Sequence, residues 1–416
     1  FPTEKLSQEE AEVIAQQSEL RSLRLDGVTL DGATLAALVR TLPHLRELNL
    51  AGCDLDDADI ATLLETRSDF IQLVLGLAPA RQGHRFAAPR LTAAVVKVVE
   101  VAGRLRRLSL LAIPIDDTHI VQSDLWDQIE QLDLSETRVS DAGARRLAHS
   151  PRLSDLSLAS TQVGDVGAEA LVLRRLEALD ISWTNVSQAS LLRAQYPDAF
   201  RRLRVAGLAL GEDFAQFLTH AIDLEEIDLS KTGVAGGAAA ALGALPKLKR
   251  VMADQTALRP GDFEPLLRAP IEILDIRSLF ADEACRQALA RSVNLNQLSP
   301  LVDGDWQGLD AITAQLSLEA TESAAGAPPS GLTTLWLRGE LTAPFAVRLA
   351  ELEMFKSLSV DAVADDVRFN RGFAHLEDFR AEGAGLNDEA FAAIAEHPSI
   401  GALYVSNNPI GAALRH

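Results

Sequence analysis

An apolar residue, two variable ones, a second apolar one, one variable and a third apolar: this six-residue motif starts sixteen times along the chain. It reads LRELNL from residue 45, LRRLSL from 105, IEQLDL from 129, LSDLSL from 153 and LEALDI from 176. It continues as LEEIDL from 224, LKRVMA from 248, IEILDI from 271 and LTTLWL from 332. Weaker copies start at Leu20, Phe70, Phe200, Leu295, Phe355, Leu376 and Ile400. Most starts are 23 to 25 residues apart, too regular for chance and too short for independent domains. A chain of 416 residues exceeds one ordinary core. A stack of small units avoids that limit by growing along an axis.

The physics of one copy is readable in residues 129–152. Leu132 and Leu134 alternate with Gln131 and Asp133, which predicts a short strand with one buried face. Thr137 follows at the corner, and Thr161, Thr184, Thr232, Thr256 and Asn408 hold the same slot. Stacking predicts a ladder of these polar side chains, each bonding the neighbouring turn. Ser140 and Asp141 read as a helix N-cap pair, and Ala144, Leu147 and Ala148 follow at helical spacing. No such unit buries its apolar side alone, so neighbours must stack. Strands pack ~4.8 Å apart and helices roughly 10 Å apart, so the stack is expected to curve.

This pattern resembles the leucine-rich-repeat family, in the helix-bearing branch that includes ribonuclease-inhibitor-like proteins. The resemblance covers residues 20–416. It implies an α/β fold: a curved right-handed solenoid, or horseshoe, with a parallel concave sheet, convex helices and about 16 repeats. The units are shorter than those of ribonuclease inhibitor, and among the cysteines only Cys53 takes the corner slot. The family implies recognition on the concave face without naming a ligand.

Residues 1–19 are expected to form an N-terminal capping helix with Leu6, Ala11, Ile14 and Ala15 inward. Residues 20–309 form the main block, 310–331 an insertion or linker, and 332–416 a short second block expected to continue past 416. Trp306, Leu309, Ile312 and Leu316 read as one amphipathic helix, and TESAAGAPPSG at 321–331 as a flexible linker. An insertion at 78–91 carries Arg81, His84, Arg85 and Arg90, either as a solvated loop or as a lip against a partner.

The formal charge is -20, from 59 acidic and 39 basic residues. That argues against nucleic acid, whose phosphates need a basic footprint, and against anionic membrane surfaces. No apolar run reaches the roughly 18 residues of a membrane span. Cys53 and Cys285 fall nine repeats apart and are expected to be free thiols. No GxxxxGK[ST], HExxH, GxSxG or CxxC motif is present. His44, His149, His220, His375 and His397 each precede a strand, a turn position. No enzyme activity, cofactor or metal is therefore expected, and a small-molecule ligand is not the expected partner. A cytoplasmic location is the expectation. The expected function is that of a recognition scaffold binding a protein or peptide. The alternative is the sensing arm of a larger signalling or defence protein.

The variable strand residues point away from the core and carry the candidate partner-binding site. Asp133, Asp180, Asp228 and Asp275 recur 47, 48 and 47 residues apart, which puts one on every second strand. Asp155, Glu226 and Asp254 add to this acidic row, which Arg202 and Arg204 interrupt. Arg24, Arg46, Arg106 and Arg107 make the early part of the face basic. Trp183, Trp336 and Tyr404 fall at exposed strand or post-strand slots, where aromatic residues anchor interfaces. Trp126 falls on the helical side and is expected in the core. An acidic face predicts a cationic contact surface on the partner, and folding alone gives no reason to align the four aspartates.

Overall fold

A computed structural model describes residues 6, 8–77, 90–276, 287–288, 294–295, 297–299, 301–302, 316–320, 328–367, 373–405 and 408. Every one of the sixteen motifs opens a strand. The chain divides into two compact units, Phe1–Leu224 and Glu225–His416.

The first unit holds β1 (Ser22–Arg24), β2 (Glu47–Asn49), β3 (Gln72–Gly76), β4 (Arg107–Leu111), β5 (Gln131–Asp133), β6 (Asp155–Ser157), β7 (Ala178–Asp180) and β8 (Arg202–Arg204). Each pairs in parallel with the next, and the central leucines stand in one register row: Leu23, Leu48, Leu73, Leu108, Leu132, Leu156, Leu179 and Leu203. All eight are buried. The helices after each strand close the other side of this core, as Ala144 and Leu147 do behind Leu132 and Leu134. Trp126, in the single turn Leu125–Asp127, is fully buried, and its indole N–H donates to the Ile120 carbonyl at 2.9 Å. The capping helix α1 (Gln8–Ala15) is shorter than expected, with Ala11, Ile14 and Ala15 half-buried.

The threonines do not form the expected ladder. Thr137, Thr161, Thr184, Thr232 and Thr256 each donate to the carbonyl three residues back in their own turn, at 2.6 to 3.1 Å. The longer amide of Asn408 does bridge coils, reaching the Val405 carbonyl at 2.8 Å and also the Ala381 carbonyl. The Cys53 thiol likewise donates to Leu25 of the preceding coil at 2.9 Å. Burial raises that thiol's pKa to about 12. Cys285 lies outside the described residues.

Coils are linked at the helix starts instead. The relevant helices are α5 (Asp117–Val121), α6 (Asp141–Leu147), α7 (Asp165–Val172) and α8 (Gln188–Leu191). Ser140 does not cap its own helix with its side chain, contrary to expectation. Asp117, first residue of α5, accepts the N–H groups of Ser140 and Gly143 at 2.8 and 3.0 Å. Asp141 accepts those of Gly164 and Gly167 at 2.7 and 2.9 Å. Asp165 accepts the Ser187 N–H at 2.7 Å and the hydroxyls of Ser187 and Ser190. Gln188 repeats the contact on Gly211 at 2.9 Å. The starts of α6, α7 and α8, with their unsatisfied N–H groups, are thus capped by the preceding coil, whereas α5 is capped by its own Asp116. At the other end Arg174 lies over the close of α6, donating to the carbonyls of Leu147, Ala148, Ser150 and Leu153.

The second unit holds two parallel sheets. One contains β9 (Glu226–Asp228), β10 (Arg250–Met252), β11 (Ile273–Asp275) and β12 (Gln297–Ser299). The other contains β13 (Leu301–Val302), β14 (Leu316–Ala320), β15 (Leu332–Leu341), β16 (Ser357–Val363), β17 (Asp378–Arg380) and β18 (Ala402–Tyr404). Leu316, expected at the end of a helix, opens β14; Trp306, Leu309 and Ile312 lie outside the described residues. Pro328 and Pro329, expected in a flexible linker, are buried, and the Pro329 carbonyl accepts the Leu332 N–H at 3.0 Å. The expected boundary at 310–331 falls inside this unit. Among the described residues no helix is long and apolar enough to cross a membrane.

Two predictions follow from the helix starts. A Cβ at Gly167 would stand 2.8 Å from the Asp141 carboxylate and 2.9 Å from Ala144 Cβ. Gly167→Ala should therefore cost about 1–3 kcal/mol, read as a lower urea midpoint, despite alanine's better helix propensity. The Ser190 hydroxyl and the Ser187 N–H hold the Asp165 carboxyl below its ordinary value of 3.8. A lowered folded pKa gives stability that is present above the ordinary value and lost as pH falls through the folded one. The stability gap between the parent and Asp165→Asn should therefore stay constant near neutrality and shrink below about pH 4, in urea titrations across that range.

Candidate functional site

On the strand face of the first unit, outward side chains fall into two register rows. The first runs Ser22, Glu47, Gln72, Arg107, Gln131, Asp155, Ala178, Arg202. The second runs Arg24, Asn49, Val74, Ser109, Asp133, Ser157, Asp180, Arg204. Small residues at Ser109, Ser157 and Ala178 leave space between longer ones, and two adjoining hollows open there. One, of about 220 Å3, reaches from Gln72 and Arg107 to Asp133 and Asp155. The other, of about 380 Å3, lies among Asp133, Asp155, Ser157, Asp180, Arg202 and Arg204.

The aspartate row has a folding role that was not expected. Asp133, Asp180 and Asp228 are half-buried, and each accepts the N–H two residues on, from Ser135, Ser182 and Ser230, at 2.9 to 3.0 Å. Asn49 makes the same bond to Ala51 at 2.9 Å. The side chain closes the corner where the strand ends, a job for Asp or Asn. Asp133 also accepts the hydroxyls of Ser109 and Ser135. In register, Asp133 and Asp180 flank Ser157 in the first unit, and Asp228 and Asp275 flank Met252 in the second. Asp254 and Asp275 are half-buried there too.

The expected split into a basic early part and an acidic middle does not survive pairing. Arg24 bonds Asp26 at 3.2 Å, Arg46 meets Asp69 at 3.3 Å and Arg106 meets Glu130 at 3.7 Å. Arg107 bonds Glu47 across β3, and Arg202 bonds Asp155 across β7 at 2.6 Å. In the second unit buried Glu226 bonds Arg250 at 3.2 Å. Charges in the first row thus alternate: Glu47, Arg107, Asp155 and Arg202 occupy every second strand. Their common position, two residues into the motif, makes that alternation legible in the sequence.

The three aromatic candidates are exposed, Trp183 in the first unit and Trp336 and Tyr404 on separate strands of the second. Trp183 is 52% exposed and sits at φ +61°, in the left-handed region. Glu136, Ser160, Lys231 and Gln255 share that turn slot, and the first three donate their N–H groups to the following coil. Trp183 lies across the next turn: a Cβ at Gly207, itself at φ +72°, would come within 2.5 Å of the indole. Trp336 lies outward on β15 and Tyr404 on β18, where the Arg380 guanidinium stacks 4.4 Å from the Tyr404 ring centre. Arg90, at the end of the 78–91 insertion, bonds Asp54 at 2.8 Å; residues 78–89 lie outside the described residues.

Stacked strand-turn-helix coils with a parallel sheet define a repeat solenoid. The coils have the form of leucine-rich repeats, and the family model described as Leucine Rich repeat matches residues 41–64 and 149–172. A search of curated protein sequences returned no match. Among solved structures, an internalin from Listeria monocytogenes is 15% identical, with 90% of this chain and 88% of that one covered and a TM-score of 0.44. A leucine-rich-repeat protein of Leptospira interrogans is 16% identical, covers 97% and 94%, and has a TM-score of 0.39. The ectodomain of an Arabidopsis thaliana membrane receptor kinase is 12% identical over 96% of this chain, with a TM-score of 0.38; the chain spans 63% of its length.

The corner bonds make a prediction. Asp180→Asn should leave the urea midpoint unchanged, because the amide oxygen still accepts the Ser182 N–H as Asn49 does for Ala51. Asp180→Ala should lower stability by about 1 kcal/mol.

Proposed function

We propose that the strand face of the Phe1–Leu224 unit recognises another polypeptide, that the partner presents a cationic group to it, and that the chain performs no chemistry of its own. The supporting observation is the pair of adjoining hollows around Asp133, Asp155 and Ser157. Packing of the coils requires the inward leucines and the helix-start carboxylates. It does not require open polar space on the outward face, and a rigid sheet holds those polar groups in place without further ordering cost. Trp183, half exposed in the turn after β7, supplies the large, preorganised aromatic surface that interfaces use as an anchor.

The test is selection of binders from a displayed library of protein fragments on the intact chain. Ser157→Trp fills the hollow from an outward, half-buried position. Glu169→Arg, on α7, changes charge away from the strand face. Selected fragments should be enriched in Lys and Arg and should bind Ser157→Trp at least tenfold more weakly, while binding Glu169→Arg like the parent. Fragments that bind Ser157→Trp as well as the parent would overturn the reading.

A further inference from the structure

The first register row of the Phe1–Leu224 unit changes sign at every second strand: Glu47 on β2, Arg107 on β4, Asp155 on β6 and Arg202 on β8. Strands lie ~4.8 Å apart, so successive charges stand ~9.6 Å apart across the sheet. Few polymers carry side chains on one face with that period. A β-strand repeats a face at ~6.6 or ~13 Å, because alternate residues point away. An α-helix returns to one face at ~5.4 Å per turn, or near 10.5 Å for two turns. A polyproline II helix has three residues per turn and rises ~3.1 Å per residue, so residues i, i+3, i+6 and i+9 share a face at ~9.3 Å spacing. Over the whole row the mismatch is about 1 Å, within the reach of arginine and glutamate side chains.

We propose that this row docks a polyproline II segment laid across the strands, with basic and acidic residues alternating at every third position. The inference rests on the strand-face reading above and names the partner of that face. Two observations point to an incoming group. The row crosses the hollow between Arg107 and Asp155 and then the one between Asp155 and Arg202. Arg107 Nε is buried without a hydrogen-bond partner among the described residues, although its Nη2 is held by Glu47. A glutamate of the segment offers that N–H an acceptor, and an arginine of the segment shares the Asp155 carboxylate with Arg202. The pairs Glu47–Arg107 and Asp155–Arg202 keep the charges extended across the sheet before binding, so little side-chain ordering is left to the complex.

The test uses four labelled peptides, capped at both ends, and the intact chain, read by fluorescence anisotropy at two salt concentrations. The matched probe is Arg-Pro-Pro-Glu-Pro-Pro-Arg-Pro-Pro-Glu. Two probes change only the spacing, with one or three prolines between charges, and the fourth has the matched composition rearranged as Arg-Arg, six prolines and Glu-Glu. The matched probe should bind at least tenfold more tightly than the other three, and added salt should weaken it. Arg107→Gln and Asp155→Asn should each erase most of that preference, with folding checked by circular dichroism and the second variant standing in if the first unfolds. Equal binding of all four probes, or binding of none, overturns the inference. Failure here with success of the Ser157→Trp test leaves the strand face a recognition surface for a different backbone; failure of both removes the face itself.

Discussion

From α5 to α8 a carboxylate at the start of one helix satisfies the start of the next, and the order of those coils depends on that contact. A short helix leaves its first N–H groups without partners, and helices of four to eight residues, such as α8 and α7, have little internal bonding to offset that loss. Asp117, Asp141 and Asp165 put an anion where these N–H groups converge, and glycine at 143 and 167 lets the carboxylate approach closer than any Cβ would allow. Ser190 takes the glycine's place in the next coil and answers with its own hydroxyl. The helix face therefore carries coil-to-coil order through side chains, while the strand face carries it through backbone bonds.

That division leaves the outward strand residues the least constrained in the array. The ladder of β1 to β8 is bonded through main-chain groups, so its first outward row is free to hold glutamate, arginine, glutamine or alanine without altering the register. The second row is less free. Its aspartates close corners, and asparagine at 49 shows that the corner requires an acceptor oxygen and not a charge. Alternating charge in the first row answers to no such requirement, which is why the partner is sought there.

Much of this was legible in the sequence, and the failures share one cause. The period and the inward leucines fix the strands and the core, because burial depends on spacing alone, and all sixteen motif starts open strands. The partners of polar side chains depend on reach between coils, which spacing does not encode. Thr137 and Ser140 stand in the expected slots, yet one bonds its own turn and the other receives its bond from Asp117. Leu316 has apolar neighbours at helical spacing, but a short apolar run fits a strand equally well, and a parallel partner at β15 decides the matter.

The left-handed turn slot shows how folding and recognition meet at one residue. Glycine holds it at 27, 52 and 207, where the conformation is free of strain. Glu136, Ser160 and Trp183 hold it in three successive coils, at a cost of roughly 1 kcal/mol each. Their N–H groups bond the following coil just as those of Gly27 and Gly52 do, so the bond does not account for the side chains. The strands of these coils, β5 to β7, line the hollows together with β3, β4 and β8. Trp183 recovers part of its cost by covering Gly207, where no side chain would fit beneath the indole. Folding thus explains the glycine at 207 through the tryptophan at 183, whereas the tryptophan itself, 52% exposed, meets no requirement of the turn that glycine would not meet.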